Sequence, residues 1–379
     1  MKKKAKKHKK RRIKISFFVI ILINYTASDI ISITSLIMID LKDEGIILES
    51  TNLPFEKKGV LNPAVIEKDD VTHMFYRAVS DQDISSIGCC QLKDNQVINR
   101  LDHPVIFPEF DYEKMGTEDP RITLLDGTYY LFYTAYDGKN ALIAYATSPD
   151  LVNFTKQGLI SPNLSYDLAE DIFRNTKVGG KYTMFEIYFR EMAGQDVLLW
   201  EKDASLFPKK INGKYALIHR ILPGIQIIYF DDFSQLHELS YWEEYLSQLD
   251  YNIILDPKYQ FENRNVGGGC PPIETPEGWL IIYHAIQDTA AVEGKIYRAG
   301  AALLDLNDPT KVIGRLKEPL FGPKEEWEKK GVIHNVVFPT GAIINNNKLT
   351  IYYGAADTLI ASKSLVLSEL LDELKVNDI

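Results

Sequence analysis

A short unit that recurs five times along the chain limits the fold more than any other feature of the sequence. Each copy begins with a turn rich in Gly, Asp or Asn, continues as an aromatic-rich apolar run and ends in a polar turn. The copies are EKDDVTHMFYRAVSD from Glu67, LDGTYYLFYTAYDG from Leu125, KINGKYALIHRI from Lys210, TPEGWLIIYHAIQD from Thr275 and NNNKLTIYYGAAD from Asn345. Such a turn followed by such a run is typical of a hairpin that leads into a buried strand.

The spacing of the copies predicts an all-β fold, a five-bladed β-propeller with few short helices. The copies start about 55–85 residues apart, which leaves room for about four strands each. A further segment, VGGKYTMFEIYFR from Val178, predicts an inserted hairpin. A two-sheet β-sandwich with a second domain explains the strands but not the recurring unit. Helix is expected at Ser234–Gln248, and Leu365–Leu374 is expected to be a short helix or a last strand that closes the ring.

The N-terminus differs from the rest of the chain. Its first fifteen residues carry ten Lys or Arg and no acid, and the apolar run Phe17–Ile23 follows. A signal peptide or membrane anchor is one interpretation, although the run is short for a bilayer. The other is that Met38 is the natural start, because MIDLKDEGIIL resembles the beginning of a cytoplasmic protein. We therefore divide the chain into an extension, residues 1–37, and a single catalytic domain, residues 38–379, with a cytoplasmic location.

Charge and cysteine usage exclude several classes of partner. The net charge is −9 despite the basic N-terminus, so the body of the chain is strongly acidic and nucleic acid is not expected as a partner. The three cysteines form no disulfide framework, and neither they nor the dispersed histidines have metal-ligand spacing. We expect no metal and no cofactor.

Polar residues follow the aromatic run in every copy of the unit. These strand ends carry Arg77, Tyr136 with Asp137, His219 with Arg220, His284, and Asp357. Between the first two copies lies GTEDPRI, in which Pro120 stiffens the backbone beside Asp119. A fixed carboxyl group suits a proton donor to a sugar, and Arg and His suit an oxyanion such as phosphate.

Three other features have two interpretations each. The run Gly267–Gly269 is more typical of a bulge or a close backbone passage than of a phosphate cradle. His219 is either a phosphate ligand or a strand-packing residue. The acid pairs Glu170–Asp171 and Glu243–Glu244 are either a hydrolytic base or, as we favour, solvated surface.

Several long motifs in one order resemble those of the β-mannoside phosphorylases and related hydrolases of glycoside hydrolase family 130. The resemblance runs from about Gly45 to Ile360, and that family has five-bladed propellers. It rests on VLNP (60–63), FYRA (75–78), GTEDPRI (116–122), KDASLFPKKINGKY (202–215) with His219 and Arg220, NVGGGCPPI (265–273) with ETPEGW and LIIYH (274–284), YRAGAALLDL (297–306) and VFPTGAI (337–343) through YYGAAD (352–357).

The resemblance implies a role for each matching residue. Asp119 matches the catalytic acid. Sugar binding is assigned to Asn62, Arg77 and Asp357, together with Arg121 beside the acid. Phosphate binding is assigned to Lys202, Arg220, His284, Tyr297 and Arg264. Two positions depart from the family pattern: Lys202 stands where phosphorylases often carry Arg, and Asn265 where many carry Lys, for which the neighbouring Arg264 can compensate.

The implied reaction is an inverting phosphorolysis of the non-reducing end of a β-mannoside, which gives α-mannose 1-phosphate and a shortened saccharide. Phosphate is the nucleophile and Asp119 the proton donor, so we expect burial and Glu118 to raise the pKa of Asp119. The alternatives are a hydrolase on the same scaffold and a non-catalytic carbohydrate-binding propeller. The sequence leaves open the linkage, 1,2 or 1,4, the acceptor sugar and whether the protein forms a homo-oligomer.

Overall fold

Antiparallel strands make up most of the regular structure, which confirms the all-β prediction. A computed structural model describes residues 39–194, 196–289 and 294–376, and the predicted extension, residues 1–37, lies outside them. The strands in these ranges are β1 (Lys42–Leu48), β2 (Gly59–Lys68), β3 (Val71–Val79), β4 (Ser85–Lys93), β5 (Gln96–Arg100), β6 (Gly116–Leu125), β7 (Thr128–Tyr136), β8 (Ala141–Ser148), β9 (Thr155–Leu159), β10 (Lys202–Leu206), β11 (Tyr215–Arg220), β12 (Ile225–Phe230), β13 (Ile253–Leu255), β14 (Asn265–Gly268), β15 (Ile273–Thr275), β16 (Gly278–Asp288), β17 (Lys295–Leu304), β18 (Val312–Arg315), β19 (Val337–Asn345), β20 (Lys348–Ala355) and β21 (Leu359–Val366).

The helices of the described residues are few and short. They are α1 (Tyr166–Phe173), α2 (Gly179–Ala193), α3 (Leu239–Ser247), α4 (Glu326–Lys329) and α5 (Leu367–Val376), with short 3-10 turns between strands. The helix expected at Ser234–Gln248 is confirmed as a 3-10 turn, Phe233–His237, followed by α3. At the C-terminus the helix is confirmed and the strand alternative is not, because β21 ends at Val366 and α5 covers the rest of the segment.

The inserted hairpin predicted near Val178 is wrong, because this segment forms the helix α2. A two-residue hairpin turn of the expected kind needs positive φ at one or both central residues. Neither Gly179 nor Gly180 has positive φ; both lie in the first turn of α2. The residues that follow include Met184, Glu191 and other good helix formers, and they lack the alternation of a strand.

The strands fall into five sets of neighbours. These are β2–β5, β6–β9, β10–β13, β14–β18, and β19–β21 with β1, which pairs with β21. A parallel bridge between Ser85 and Gly116 joins the first two sets. In each set the predicted aromatic segment is the second main strand, namely β3, β7, β11, β16 and β20. Four of these strands follow turns with positive φ at two consecutive residues, such as Asp69–Asp70 and Asn212–Gly213, as the recurring unit predicts.

Buried apolar clusters lie between the sets, and each of the five clusters in the described residues draws side chains from two of them. The pairs that represent them are Phe75 with Leu131, Phe132 with Leu217, Ile227 with Ile281, Ile282 with Tyr353, and Met74 with Ile360. The last pair joins the first set to the fifth. Every set therefore shares apolar side chains with two others.

A buried glutamate contacts the second main strand of every set. In four sets a Tyr hydroxyl donates to this Glu, and an Arg or Lys also pairs with it. The four groups are Tyr76, Glu56 and Arg100; Tyr133, Glu113 and Lys156; Tyr283, Glu262 and Arg315; and Tyr353, Glu328 and Lys363. All four Glu residues are fully buried, and each precedes the first strand of its set. The Glu therefore ties that connection to the middle of the sheet.

The third set carries a variant of this group. His219 replaces the Tyr, with Nδ1 2.6 Å from Oε1 of buried Glu201 and Nε2 2.7 Å from the hydroxyl of Tyr245 on α3. Only 1% of His219 is exposed. Of the two interpretations of His219, the structure therefore supports strand packing.

Candidate active site

Three of the sets place an Asn or Asp at a β-bulge in their first strand. Pairing is interrupted between Leu61 and Ala64, between Glu118 and Arg121, and between Lys202 and Ser205. The bulged residues are Asn62, Asp119 and Asp203, with φ of 49°, 51° and 58°. Asn and Asp tolerate this left-handed backbone better than most residues, and a bulge redirects a side chain out of the regular alternation. All three line the same pocket.

Eight of the ten predicted site residues line this pocket. They are Asn62, Arg77, Asp119, Lys202, Arg220, Arg264, Tyr297 and Asp357. They come from all five sets of strands, and they include the strand-end residues Arg77, Arg220 and Asp357. The other two, Arg121 and His284, are buried and lie outside the lining.

Asp119 is held in place by neighbours from the first set. Nδ2 of Asn62 donates to Oδ1 of Asp119 at 2.7 Å, and Nη1 of Arg77 lies 3.5 Å from the same oxygen. The adjacent Glu118 takes the stronger contact with Arg77, at 2.7 Å, and lies 3.5 Å from Nζ of Lys202. Asp119 is 9% exposed, so its carboxylate stands at the pocket surface with little water around it.

The expectation that the pKa of Asp119 is raised is wrong. Burial raises this pKa, but Arg77, Lys202 and Arg121 and the hydrogen bond from Asn62 together outweigh burial, so the pKa lies below its usual value. Glu118 does not reverse this balance, because it is itself paired with Arg77. Asp119 is therefore ionised at neutral pH when the pocket holds no anion.

Asp357 shows the opposite shift. Burial, together with the charges of Asp119 and Glu118, raises its pKa to about 6, although Arg77 opposes the shift. The pKa of Asp119 is therefore lowered and that of Asp357 is raised, although the two residues share charged neighbours. Such a separation of two pKa values is typical of acid-base sites.

Arg121 lies in the floor of the pocket. Its Nε donates to the carbonyl oxygen of Gly269 at 2.6 Å, its Nη1 to that of Asp119 at 2.8 Å, and its Nη2 to that of Gly268 at 3.1 Å. Only 1% of the residue is exposed, so it fixes the backbone of the acid and does not line the sugar pocket as expected. A Cβ at Gly269 would lie 2.4 Å from the carbonyl oxygen of Ile282, which fits the interpretation of the glycine run as a close backbone passage.

Cations gather on the side of the pocket formed by the third set. Lys202 and Arg220 are paired strand neighbours, and Nε of Arg220 lies 3.1 Å from Oδ2 of Asp203. His284 lies behind them, with Nε2 3.2 Å from Nη1 of Arg220. Burial lowers the pKa of His284 to about 3, so its ring is neutral and contributes hydrogen bonding rather than charge. Its predicted contact with phosphate stays a prediction.

Arg264 and Tyr297 line the pocket from the fourth set. Nη1 of Arg264 lies 3.0 Å from Oδ2 of Asp288. Lys295 lines the pocket too, and burial and the charge of Arg264 lower its pKa. The fourth set therefore adds two cations to the pocket, and only Arg264 was predicted from the sequence.

The lining residues that were not predicted include Asp203, Lys295, Trp200 and Phe338. Asp203 had a detectable signal, because Asp203-Ala204-Ser205 occupies the same bulge as Asn62-Pro63-Ala64 and Asp119-Pro120-Arg121. It lacks the proline that follows the bulged residue in the other two. Lys295 and Trp200 lie outside the recurring unit and carry no such signal.

Other sequence hypotheses find less support at the pocket. The pairs Glu170–Asp171 and Glu243–Glu244 lie on α1 and α3, outside the lining. Within the described ranges, no group of three or more His, Cys, Asp or Glu is arranged to hold a metal ion. Nor does any helix in those ranges combine the length and hydropathy needed to cross a bilayer.

Comparison with known proteins gives one consistent result. A family model described as beta-1,4-mannooligosaccharide phosphorylase, of glycoside hydrolase family 130, matches residues 39–376. A 1,2-beta-oligomannan phosphorylase of Thermoanaerobacter sp. (strain X514) is 35% identical over 343 residues, which cover 87% of this chain and 97% of the relative. A beta-1,2-mannobiose phosphorylase of the same organism is 36% identical, with 81% and 89% covered.

A solved structure agrees with these relatives. The beta-1,2-mannobiose phosphorylase of Listeria innocua, in complex with beta-1,2-mannobiose, superposes with a TM-score of 0.67 at 25% identity. The match covers 89% of this chain and 99% of that one. The similarity therefore extends over nearly the whole length of the compared proteins.

Proposed function

The chain belongs to glycoside hydrolase family 130 and is an enzyme that cleaves β-mannosides by phosphorolysis, and we propose that its substrates are β-1,2-linked. Two relatives with that linkage in their names, at 35% and 36% identity over most of the chain, support this choice over the 1,4 linkage in the description of the family model. The products are then α-mannose 1-phosphate and a saccharide one unit shorter.

One observation carries the proposed chemistry: Asp119 and the cations Lys202 and Arg220 line one pocket. We propose that the mannosyl unit lies against Asn62, Arg77 and Asp357 and that phosphate binds at Lys202 and Arg220, with Arg264, Tyr297 and His284 completing the anion site. Guanidinium and ammonium groups match phosphate oxygens, and an otherwise acidic protein gathers them here.

The proposed reaction is a single displacement with inversion. A phosphate oxygen forms a bond to the anomeric carbon, the bond to the leaving oxygen breaks on the opposite face, and Asp119 gives its proton to that oxygen. The net reaction converts hydrogen phosphate and mannoside into mannose 1-phosphate and a free hydroxyl group. The proton lost by Asp119 is therefore replaced by the one that phosphate brings, and neither metal nor cofactor is required.

The lowered pKa of Asp119 fits this scheme when phosphate is included. The cations that lower the pKa include Lys202, which lies in the proposed anion site. A bound phosphate offsets their charge and raises the pKa of Asp119, so the acid becomes competent when the nucleophile is in place.

We propose that the five sets of strands are the five blades of a propeller around this pocket. Support comes from the buried Glu group that recurs in every set, from the apolar clusters that link each set to two others, and from β1, which joins the last set. Such a ring accounts for a pocket that draws residues from every set.

Incubation with β-1,2-mannobiose, with and without inorganic phosphate, tests the function directly. We expect mannose 1-phosphate and mannose in equal amounts when phosphate is present, and no cleavage without it. Mannose release that is independent of phosphate would show a hydrolase instead. A parallel reaction with β-1,4-mannobiose tests the linkage, and faster cleavage of that isomer would contradict the choice made above.

A further inference from the structure

A second depression adjoins the candidate pocket beside α2. Its wall includes Met184 and Phe185 from α2, the prolines Pro223 and Pro257, and Asn263 with Arg264 from the segment before β14. Arg264 lines both cavities, and Leu222, which lines the pocket, directly precedes Pro223 in the chain. The two cavities are therefore neighbours that share a wall.

The start of α2 is fixed to the third set of strands. The hydroxyl of Tyr182 donates to Oδ1 of Asp256 at 3.0 Å and accepts from Nε2 of Gln226 at 3.0 Å, and Nζ of Lys181 lies 2.8 Å from Asp256. Tyr182 is 2% exposed. Phe185 follows Tyr182 by three residues, so both project from one face of the helix. This anchoring sets the position of the Phe185 ring.

Arg264 connects that ring to the pocket. Its guanidinium lies 5.9 Å from the centre of the Phe185 ring, within the range of a cation–π contact, and its ion pair with Asp288 fixes the other side. Asp288 also lines the depression. On the side of the depression, Asp288 balances the charge of Arg264, so this side of the shared wall suits neutral hydroxyl groups better than an anion.

The composition of the depression fits a pyranose ring. Phe185, Met184 and the two prolines offer apolar surface for the C–H face of a sugar, while Asn263, Asp288 and Lys181 offer donors and acceptors to the hydroxyl groups at its edge. A mainly apolar wall with a few placed polar groups is typical of small-ligand sites. We assign phosphate and the disaccharide to the pocket around Asp119, so a neighbouring site on the same wall is available to further mannosyl units.

From this arrangement we infer that the depression beside α2 is an acceptor-side subsite that binds mannosyl units beyond the disaccharide and favours longer β-mannosides. The inference rests on the proposed function, since it assigns a further part of the same substrate. It also addresses a difference among the relatives, one of which is named for oligomannan and another for mannobiose.

The test compares kcat/KM for β-1,2-linked mannobiose and mannotetraose in the wild type, Phe185→Ala and Met184→Ser. On the tetraose we expect Phe185→Ala to lose about fivefold to tenfold, as for loss of a ring contact, and Met184→Ser to lose about threefold to fivefold, as for loss of an aliphatic contact. On the biose both variants should lose less than twofold. Met184 is 66% exposed, so its substitution leaves the fold intact even if Phe185→Ala disturbs the packing under α2. Val152→Ser is the matched control, because Val152 is 68% exposed on the turn before β9, outside both cavities.

Two results would overturn the inference: equal losses on both substrates in Met184→Ser, or no loss on either. If the wild type phosphorolyses the biose and the variants have unchanged kcat/KM for both substrates, the subsite alone is refuted. A wild-type enzyme that phosphorolyses no β-mannoside refutes the proposed function itself, so the two failures are distinguishable.

Discussion

Asp203 and Arg220 form an ion pair in the floor of the candidate pocket, with 3.1 Å between Oδ2 and Nε. The other carboxylate oxygen lies 3.4 Å from Nη2 of Arg121, and Arg121 holds the carbonyl oxygen of Asp119. One carboxylate therefore connects the arginine assigned to phosphate with the arginine that supports the proton donor.

This arrangement predicts that Asp203 positions Arg220 for phosphate. In Asp203→Asn, which keeps the shape of the side chain, the guanidinium loses its charged partner, and we expect the KM for phosphate to rise about tenfold or more. The KM for the mannoside should change much less. Initial rates over a matrix of the two substrate concentrations measure both constants, with Arg220→Ala as the comparison.

A purely structural role for Asp203 would give another pattern. Loss of one partner of a buried ion pair destabilises the fold, so the melting temperature of Asp203→Asn is measured alongside the rates. If the maximal rate falls in proportion to the loss of folded protein while both KM values stay unchanged, Asp203 does not position the phosphate site.

Asp119→Asn should abolish phosphorolysis while leaving saccharide binding largely intact. The amide cannot give a proton to the leaving oxygen, and the loss of a general acid typically costs about 10²–10⁴-fold in kcat. Calorimetric titration with β-1,2-mannobiose measures the binding that remains. Glu118→Gln is the neighbouring control, and if it costs more than Asp119→Asn, the acid has been assigned to the wrong residue.

The β-bulges in the first strands of three sets show which site residues can be identified from the sequence alone. Asp119 was identified from the proline that follows it and Asn62 from the family resemblance, whereas Asp203 occupies an equivalent bulge with Ala204 in place of the proline. The resemblance to a known family supplied the roles of the pocket residues, and the recurring unit supplied the sheets. Neither could supply the α2 helix, because Gly179-Gly180 before an aromatic segment has the same composition as a true hairpin turn.

The charge balance at Asp119 could not be predicted, because the groups that decide it are far apart in the chain. Lys202 and Arg77 reach the carboxylate from two other sets of strands. Local reasoning identified burial and Glu118 as raising the pKa and Arg121 as opposing the shift, and it assigned Arg121 to the sugar although that side chain turns into the floor. Net electrostatics at a convergent site depends on the fold as a whole.

The two aspartates should change the pH dependence of stability in opposite directions. Asp357 has its pKa raised from an ordinary value of 3.8 to about 6, so its stabilising contribution is present at low pH and is lost as the pH rises through about 6. Asp357→Asn imitates the protonated form, and relative to the wild type its free energy of unfolding should increase by about 1 kcal/mol between pH 5 and pH 8. Urea denaturation at both pH values measures the change.

Asp119→Asn provides the contrast in the same experiment. Its folded pKa is lowered, so the stabilising contribution of the ionised carboxylate is present above the ordinary pKa and is lost only as the pH falls through the folded value. Because the charge of Asp119 also helps to raise the pKa of Asp357, the variant should show a relative gain between pH 5 and pH 8 that is clearly smaller than that of Asp357→Asn. A gain like that of Asp357→Asn would contradict the assigned charge state.

The recurring buried glutamates predict that stability and catalysis can be separated. In Tyr283→Phe, Glu262 loses the hydrogen bond of 2.6 Å but keeps Arg315 at 2.9 Å, so we expect a loss of about 1–2 kcal/mol in the free energy of unfolding. The KM values should not change, because this group lies outside the pocket lining. Tyr353→Phe removes the matching contact to Glu328, also 2.6 Å, and should cost a similar amount. Since the two sites lie in different sets, the double variant should show nearly additive losses in urea denaturation, and a large excess over the sum would mean that the two groups are coupled.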